Sequence, residues 1–338
     1  MEHDLSAGDA VLERIHEVAR AAAARHGRGD AEVVLLNVSE NATFRLSDDH
    51  GSAALRVHRR GYHAPGAIAT ELAWQDALRE EAGIRTPHVL ATPAGERIVE
   101  VPDPDGEGPR SCVLFEFLPG AEPTGDLAGL AAIAARMHRH ARGWAGAVPG
   151  TRFAWDLSAA FGPEMRWGDW REAIGLDAEG RGVLQRAEDA VRARLADVGR
   201  DAASWGLIHG DMRRANLLEH EGALAVIDFD DCGFGWYGYD LAAALSFIEH
   251  TPQAPDLVAS WFEGYATVAP PAALDLDLAT TFVMFRRLLL TAWIASHRPD
   301  DPTGELGADF TAGTCRLAEE YLAGRGAIAD AVRDRLPA

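Results

Sequence analysis

At Pro119-Gly120 the hydropathy pattern of the chain changes, and that change restricts the fold more than any other feature. Before it, short apolar runs alternate with turn residues: VVLLNV at 33–38, ATFRL at 42–46, AALRV at 53–57, a run at 97–101, and CVLFEFL at 112–118. Short runs bounded by Gly, Pro, Asn and Asp predict strands, here a meander. The connection PDPDGEGPR at 102–110 is turn-forming. One helix precedes the meander and one interrupts it. One covers 9–26, where alanine favours helix and Gly27 and Gly29 end it; the other covers 66–82 and ends at Gly83. After Pro119-Gly120 helices dominate, at 126–141, 179–198, 239–249, 255–267, 275–296 and 308–324. Between 206 and 227 only the short pieces GLI, NLL and ALAVI remain strand-like. The pattern predicts an α+β fold of two lobes, a β-rich N-terminal lobe over 1–118 and a mostly helical C-terminal lobe over 119–338. Pro119-Gly120 would be the hinge, and ligands favour the cleft at such a hinge.

The 338 residues include no lysine; all 32 basic residues are arginine. Chemistry that needs a lysine is therefore excluded, including Schiff-base catalysis and a phosphate loop gripped by Lys. A net charge of −20 argues against general binding to nucleic acid or to anionic membranes, both of which need basic surface. Cys112, Cys232 and Cys315 are odd in number and far apart, which fits no disulfide framework and suits a reducing cytoplasm. The N-terminal MEHDLSAGD is acidic and polar, unlike a signal peptide. The most apolar stretch, near 280–296, is cut by Arg286 and Arg287, so no membrane span is expected.

The stretch 207–240, LIHGDMRRANLLEHEGALAVIDFDDCGFGWYGYD, carries the chemistry. His209-Gly210-Asp211 is followed by Asn216, and Asp228 stands after the apolar run ALAVI. Phosphoryl transfer needs a carboxylate to take the proton of an attacking hydroxyl. It also needs an amide oxygen and a second carboxylate to hold Mg²⁺ on the ATP phosphates. His-x-Asp-x-x-x-x-Asn is the spacing of a kinase catalytic loop. Three such residues at these spacings are hard to explain as turn formers, although any one of them alone reads that way.

The run H-G-D-M-R-R-A-N-L-L…V-I-D-F-D-D…Y-D-L-A resembles the aminoglycoside phosphotransferase and choline kinase group, whose fold is protein-kinase-like. D-F-D-D is similar to homoserine kinase type II and stress-response kinase A relatives. The resemblance covers roughly 30–300 and is most specific within 207–240. It implies that Asp211 is the catalytic base, that His209 orients the loop from behind, and that Asn216 and Asp228 hold Mg²⁺. It also implies that Asp240 supports the catalytic loop, unless that residue is a plain helix cap. Asp230 stands where protein kinases have glycine, which favours small-molecule kinases. Arg213 and Arg214 either face the transferring phosphate or are exposed loop residues.

On the nucleotide side, the third strand should present a cation to the phosphates, and the next helix a glutamate to hold it. Arg56 and Glu71, fifteen residues apart, fit those places. Arginine bonds phosphate and carboxylate alike in bidentate fashion. The turn 37–42, NVSENA, would cover the phosphates, with backbone N–H groups near Ser39 and Asn41. Adenine would dock on backbone at Glu116 and Phe117, just before the hinge.

The acceptor is less legible. Trp144, Trp155, Trp167 and Trp170 lie among Arg152, Arg166 and Arg171, and either line a pocket or pack between helices. Asp230, Asp231 and Glu249 are suited to an amine, and Arg286 and Arg287 to an anion. The leading expectation is an ATP- and Mg²⁺-dependent kinase for a hydroxyl of a small molecule, an amino alcohol, amino sugar or antibiotic. A Ser/Thr protein kinase and a non-catalytic nucleotide-binding module are the alternatives. No long activation segment separates Asp228 from Asp240, which counts against the protein kinase.

Overall fold

The computed structural model describes residues 2–38, 41–163, 165–270, 273–297 and 305–334. The chain forms two compact units. The first comprises Met1–Arg79, Arg85–Gly120 and Leu218–Ile227; the second comprises Glu80–Ile84, Ala121–Leu217 and Asp228–Ala338.

The first unit is built on a five-stranded antiparallel sheet of order β1-β2-β3-β5-β4. Its strands are β1 (Glu32–Val38), β2 (Ala42–Asp48), β3 (Gly51–Val57), β4 (Val99–Pro102) and β5 (Pro109–Glu116). Helix α1 (Glu2–Arg25) lays Ile15, Val18, Ala19, Ala22 and Ala23 on one face of the sheet, against Phe44, Leu46, Leu55, Val57, Cys112 and Leu114. Successive strand residues point to opposite faces, so Val113 and Phe115 face the other way. There they meet Ile68 and Leu72 of α2 (Ala67–Ala82). Arg56 sits between Leu55 and Val57 and pairs in register with Val113, so its side chain belongs to the α2 face. The hairpin of β8 (Leu217–His220) and β9 (Ala223–Val226) is counted almost entirely with this unit, where the Val226 N–H donates to the Arg85 carbonyl at 2.9 Å.

The second unit is mostly helical. It contains α3 (Ala128–Ala141), α4 (Leu157–Phe161), α5 (Ala178–Ala196), α6 (Tyr239–Ala244), α7 (Ala254–Ala266), α8 (Ala273–Ser296), α9 (Glu305–Leu322) and α10 (Ala327–Arg333). A small sheet of order β6-β10-β7 joins β6 (Ala154–Trp155), β7 (Trp205–Ile208) and β10 (Gly233–Trp236). Helix α8 is central, packed by α5, α6, α9 and α10, with Phe282, Phe285, Leu288 and Leu289 buried. Two expectations change here. The helix foreseen over 239–249 stops at Ala244; Phe247, at φ +69°, takes a left-handed conformation that no helix continues through. Helix α8 also contains Asp277–Ser296, long and apolar enough to cross a membrane, with mean hydropathy 1.4 despite its two arginines. It is 89% buried in the fold, as the core helix of a globular unit is. Both arginines are buried on partners within the fold.

Candidate active site

Strand β7 delivers the loop that begins at His209. Its register with β10 pairs Ile208 with Gly233, which holds the end of the strand rigidly. Gly210 follows at φ +79°. A Cβ there would lie 2.5 Å from the Asp231 carbonyl and 2.5 Å from Trp155 Nε1, so only glycine fits both the conformation and the space. Gly210→Ala should destabilise the protein by about 2–4 kcal/mol, the left-handed penalty plus overpacking, read from the urea unfolding midpoint.

Asp240 holds this loop from below. Its side chain is fully buried and accepts the N–H of His209 at 3.2 Å and that of Gly210 at 2.9 Å. His138 Nε2 lies 3.0 Å from the same carboxylate, and His138 Nδ1 lies 3.0 Å from the Tyr265 hydroxyl. A carboxylate only accepts, so Nε2 carries the proton. Asp240 begins a helix, as the capping alternative required, but its carboxylate is committed to the loop. His209 is buried, and its Nδ1 accepts the Asp211 N–H at 3.3 Å; its ring tilts over Phe229 at 4.7 Å. It thus bears on the loop through the backbone of Asp211.

That carboxylate is held by three donors. Asn216 Nδ2 donates to Oδ2 at 2.7 Å and to the Asp211 carbonyl at 2.8 Å. Arg213 Nε donates to Oδ2 at 2.9 Å, and Arg286 Nη2 to Oδ1 at 2.6 Å. Burial by itself would raise this carboxyl. The Arg213 and Arg286 guanidiniums outweigh it and hold the carboxyl below the ordinary carboxylate range. Arg286 is buried and also donates to the Gly210 carbonyl at 3.0 Å, the Tyr239 hydroxyl at 3.0 Å and Ser246 Oγ at 3.2 Å. Arg213 is thus part of the site, whereas Arg214 donates to the Gly125 carbonyl at 2.8 Å.

Asp228 lies just beyond β9, exposed, with φ +59°. Non-glycine residues adopt this conformation rarely, Asp and Asn more readily than others. The segment after it is fastened to the second unit. Arg152 donates to the Cys232 carbonyl at 2.6 Å and to the Asp230 carbonyl, and Trp155 Nε1 to the Asp231 carbonyl at 2.8 Å. The tryptophans of this region pack. Trp155 meets Trp167 edge-on at 4.8 Å and stacks on Tyr239 at 5.8 Å, and Trp170 donates to Glu188 at 2.7 Å.

In the first unit, Arg56 and Glu71 meet as a buried ion pair, with Gln75 Nε2 donating to the same glutamate oxygen at 3.0 Å. The Arg56 guanidinium also lies 5.2 Å from the centre of the Phe115 ring. Asn41 Oδ1 accepts the Arg59 N–H at 3.0 Å, tying the turn before β2 to the end of β3. Ser39 lies outside the described residues. The Glu116 N–H donates to the His88 carbonyl at 2.8 Å, and Phe117 is half-buried. Phe115 is a core residue.

The site-bearing helical unit and the arginine-bearing sheet unit are together those of a kinase-class phosphotransferase. The chain belongs to the phosphotransferase enzyme family, whose profile matches residues 33–275. The structure of the microcompartment-associated aminopropanol kinase is similar, with TM-score 0.84 and 39% identity, covering 91% of this chain and 98% of that one. Amicoumacin kinase of Bacillus subtilis is 24% identical over 258 residues, 74% of each chain. The fold is also that of amicoumacin kinase hAmiN in complex with AMP-PNP, Ca²⁺ and Ami, with TM-score 0.73 and 21% identity over 95% of this chain and 96% of that one. The protein is an ATP-dependent phosphotransferase that acts on a hydroxyl of a small molecule.

Proposed function

We propose that the acceptor is a small amino alcohol and that its hydroxyl is presented to Asp211. The tethered carboxylate of Asp211 carries this reading, because a general base must be ionised and fixed in direction. Arg213, Arg286 and Asn216 hold it so. The similarity at 39% identity to an aminopropanol kinase supports an amino alcohol over an amino sugar or antibiotic.

The donor set suits Mg²⁺. Asn216 turns its amide nitrogen to Asp211, which leaves its carbonyl oxygen, and Asp228 offers an exposed carboxylate. Hard cations prefer oxygen ligands of this kind. Asn216 and Asp228 would hold the ion, which would neutralise charge on the phosphate oxygens. Arg56, directed by Glu71, binds the α and β phosphates in place of lysine. Backbone near Asn41 covers them, and backbone at Glu116 and Phe117 receives adenine. Asp211 then takes the hydroxyl proton as the oxygen attacks the γ-phosphorus and ADP leaves, with no covalent enzyme intermediate. Cys112 and Cys315 are free thiols, in keeping with a reducing cytoplasm.

The test is ADP release with Mg-ATP and a panel of aminopropanol, ethanolamine, choline, amino sugars and hydroxylated antibiotics. A kcat/KM for one amino alcohol at least tenfold above every other class is expected. Turnover of none, or preference for an antibiotic, overturns the acceptor. Arg56→Ala should raise the KM for ATP about tenfold or more, the worth of a charge-assisted hydrogen bond, with Arg56→Lys in between. An unchanged KM rejects Arg56 as the phosphate ligand.

A further inference from the structure

Helix α8 presents two adjacent arginines to two different places. Arg286 reaches Asp211, while Arg287 turns about a quarter of the helix circumference away. On that second side lies a cavity of about 320 Å³, bounded by α8, α9, α10 and the segment Glu249–Pro252. Its lining includes no residue of the loop 209–216, nor Arg286. The size is that of a small-ligand pocket.

The cavity contains an unsatisfied acid. Glu249 is 3% exposed, and its Oε2 accepts from Arg287 Nη1 at 2.8 Å. Its Oε1 has no hydrogen-bond partner among the described residues beyond the approach of its own backbone N–H. Arg287 cannot turn to serve it. Nε donates to Thr314 Oγ1 at 2.9 Å, Nη2 donates to the Phe310 carbonyl at 3.1 Å, and the guanidinium stacks on the Phe310 ring at 3.4 Å. A buried carboxylate oxygen with no donor beyond the approach of its own backbone N–H is costly, so a further donor would be favoured. Burial accordingly pushes the Glu249 carboxyl up even beside Arg287.

The remaining charge in the lining is mixed, with three arginines against one further glutamate. Arg287, Arg316 and Arg325 stand against Glu249 and Glu320, and Arg316 and Arg325 are exposed. Val283, Met284, Leu317 and Ile328 line the cavity between them. An acid on the floor, an apolar wall and guanidiniums at the mouth complement a molecule that is cationic at one end and anionic at the other.

We propose that this cavity is a second ligand site, apart from Asp211, for a small molecule carrying an ammonium group and an anionic group a few carbons apart. The ammonium donates to Glu249 Oε1, and the anion lies on Arg316 and Arg325. Two sources share that chemistry. One is a phosphorylated amino alcohol, the product class of the reaction proposed above and dependent on that reading; the other is an amino acid, which does not depend on it.

Isothermal titration calorimetry of the full chain separates these. O-Phosphoethanolamine and β-alanine carry both charges; ethanolamine and inorganic phosphate carry one kind each. At least one of the first two should bind ten or more times more tightly than either single-charge compound. Binding of the phosphate compound alone assigns the site to product, and binding of β-alanine assigns it to amino acids. Arg316→Glu, on the exposed mouth, should weaken that binding tenfold or more and leave basal ADP release unchanged. Glu249→Gln should weaken it as well, and Asp211→Asn should leave it intact. No saturable binding, equal affinity for the single-charge compounds, indifference to Arg316→Glu, or loss in Asp211→Asn overturns the second site. Failure of the acceptor proposal would show separately, as absent ADP release with amino alcohols.

Discussion

Asp211→Asn is expected to lower kcat by about 10²–10⁴-fold, the usual contribution of a positioned general base. The substitution keeps the shape of the side chain and removes its charge. Arg286 still has the Gly210 carbonyl, the Tyr239 hydroxyl and Ser246 Oγ, so the cation is not stranded. The fold should therefore survive, and the KM for ATP should move little, because no nucleotide contact is assigned to Asp211. Steady-state ADP release and thermal melting on the same preparation check both halves. A kcat within tenfold of the parent enzyme would remove Asp211 as the base and leave orientation as its whole contribution.

Asp240→Ala should have the largest effect on stability, a loss of about 3–5 kcal/mol, as for a buried ionic group removed from its partners. Three groups lose their acceptor together: the His209 N–H, the Gly210 N–H and His138 Nε2. All lie where water does not reach, since His138, His209 and Asp240 are fully buried. Equilibrium urea unfolding reads the loss, and turnover at a temperature where the variant remains folded reads the loosening of the loop. A loss below about 1 kcal/mol, the worth of one ordinary hydrogen bond, would mean that the loop is held by other means.

Much of this was legible in the residues. Asp211 and Asn216 were legible as neighbours because they fall on one short loop, where Asn216 donates to Asp211; the metal roles of Asn216 and Asp228 came from the resemblance. Arg56 and Glu71 were legible because a kinase-like lobe calls for a cation on its third strand and a glutamate on the following helix, and the two meet as an ion pair. Asp240 was half legible: a helix start is visible in Y-D-L-A, but the fate of its carboxylate depends on a loop thirty residues earlier. Arg286 was missed as a partner of Asp211. It lies 75 residues downstream on a helix that otherwise reads as apolar, and no local pattern specifies a contact at that separation. Its only signal was a buried-looking charge in an apolar run, which calls for a partner without naming one. The early end of α6 was hidden for a similar reason, because Ser246 is claimed by that same distant arginine.

The pair formed by Arg56 and Glu71 has a consequence for chemical labelling. Reagents that acylate the phosphate-binding amine of a kinase depend on lysine as a nucleophile that can be deprotonated. A guanidinium stays protonated in proteins and offers no such nucleophile. With arginine at this position and no lysine side chain anywhere in the sequence, ATP-directed acylating probes should leave the nucleotide site unmarked even in fully active enzyme. Surveys of active kinases that rely on such reagents would pass this one over.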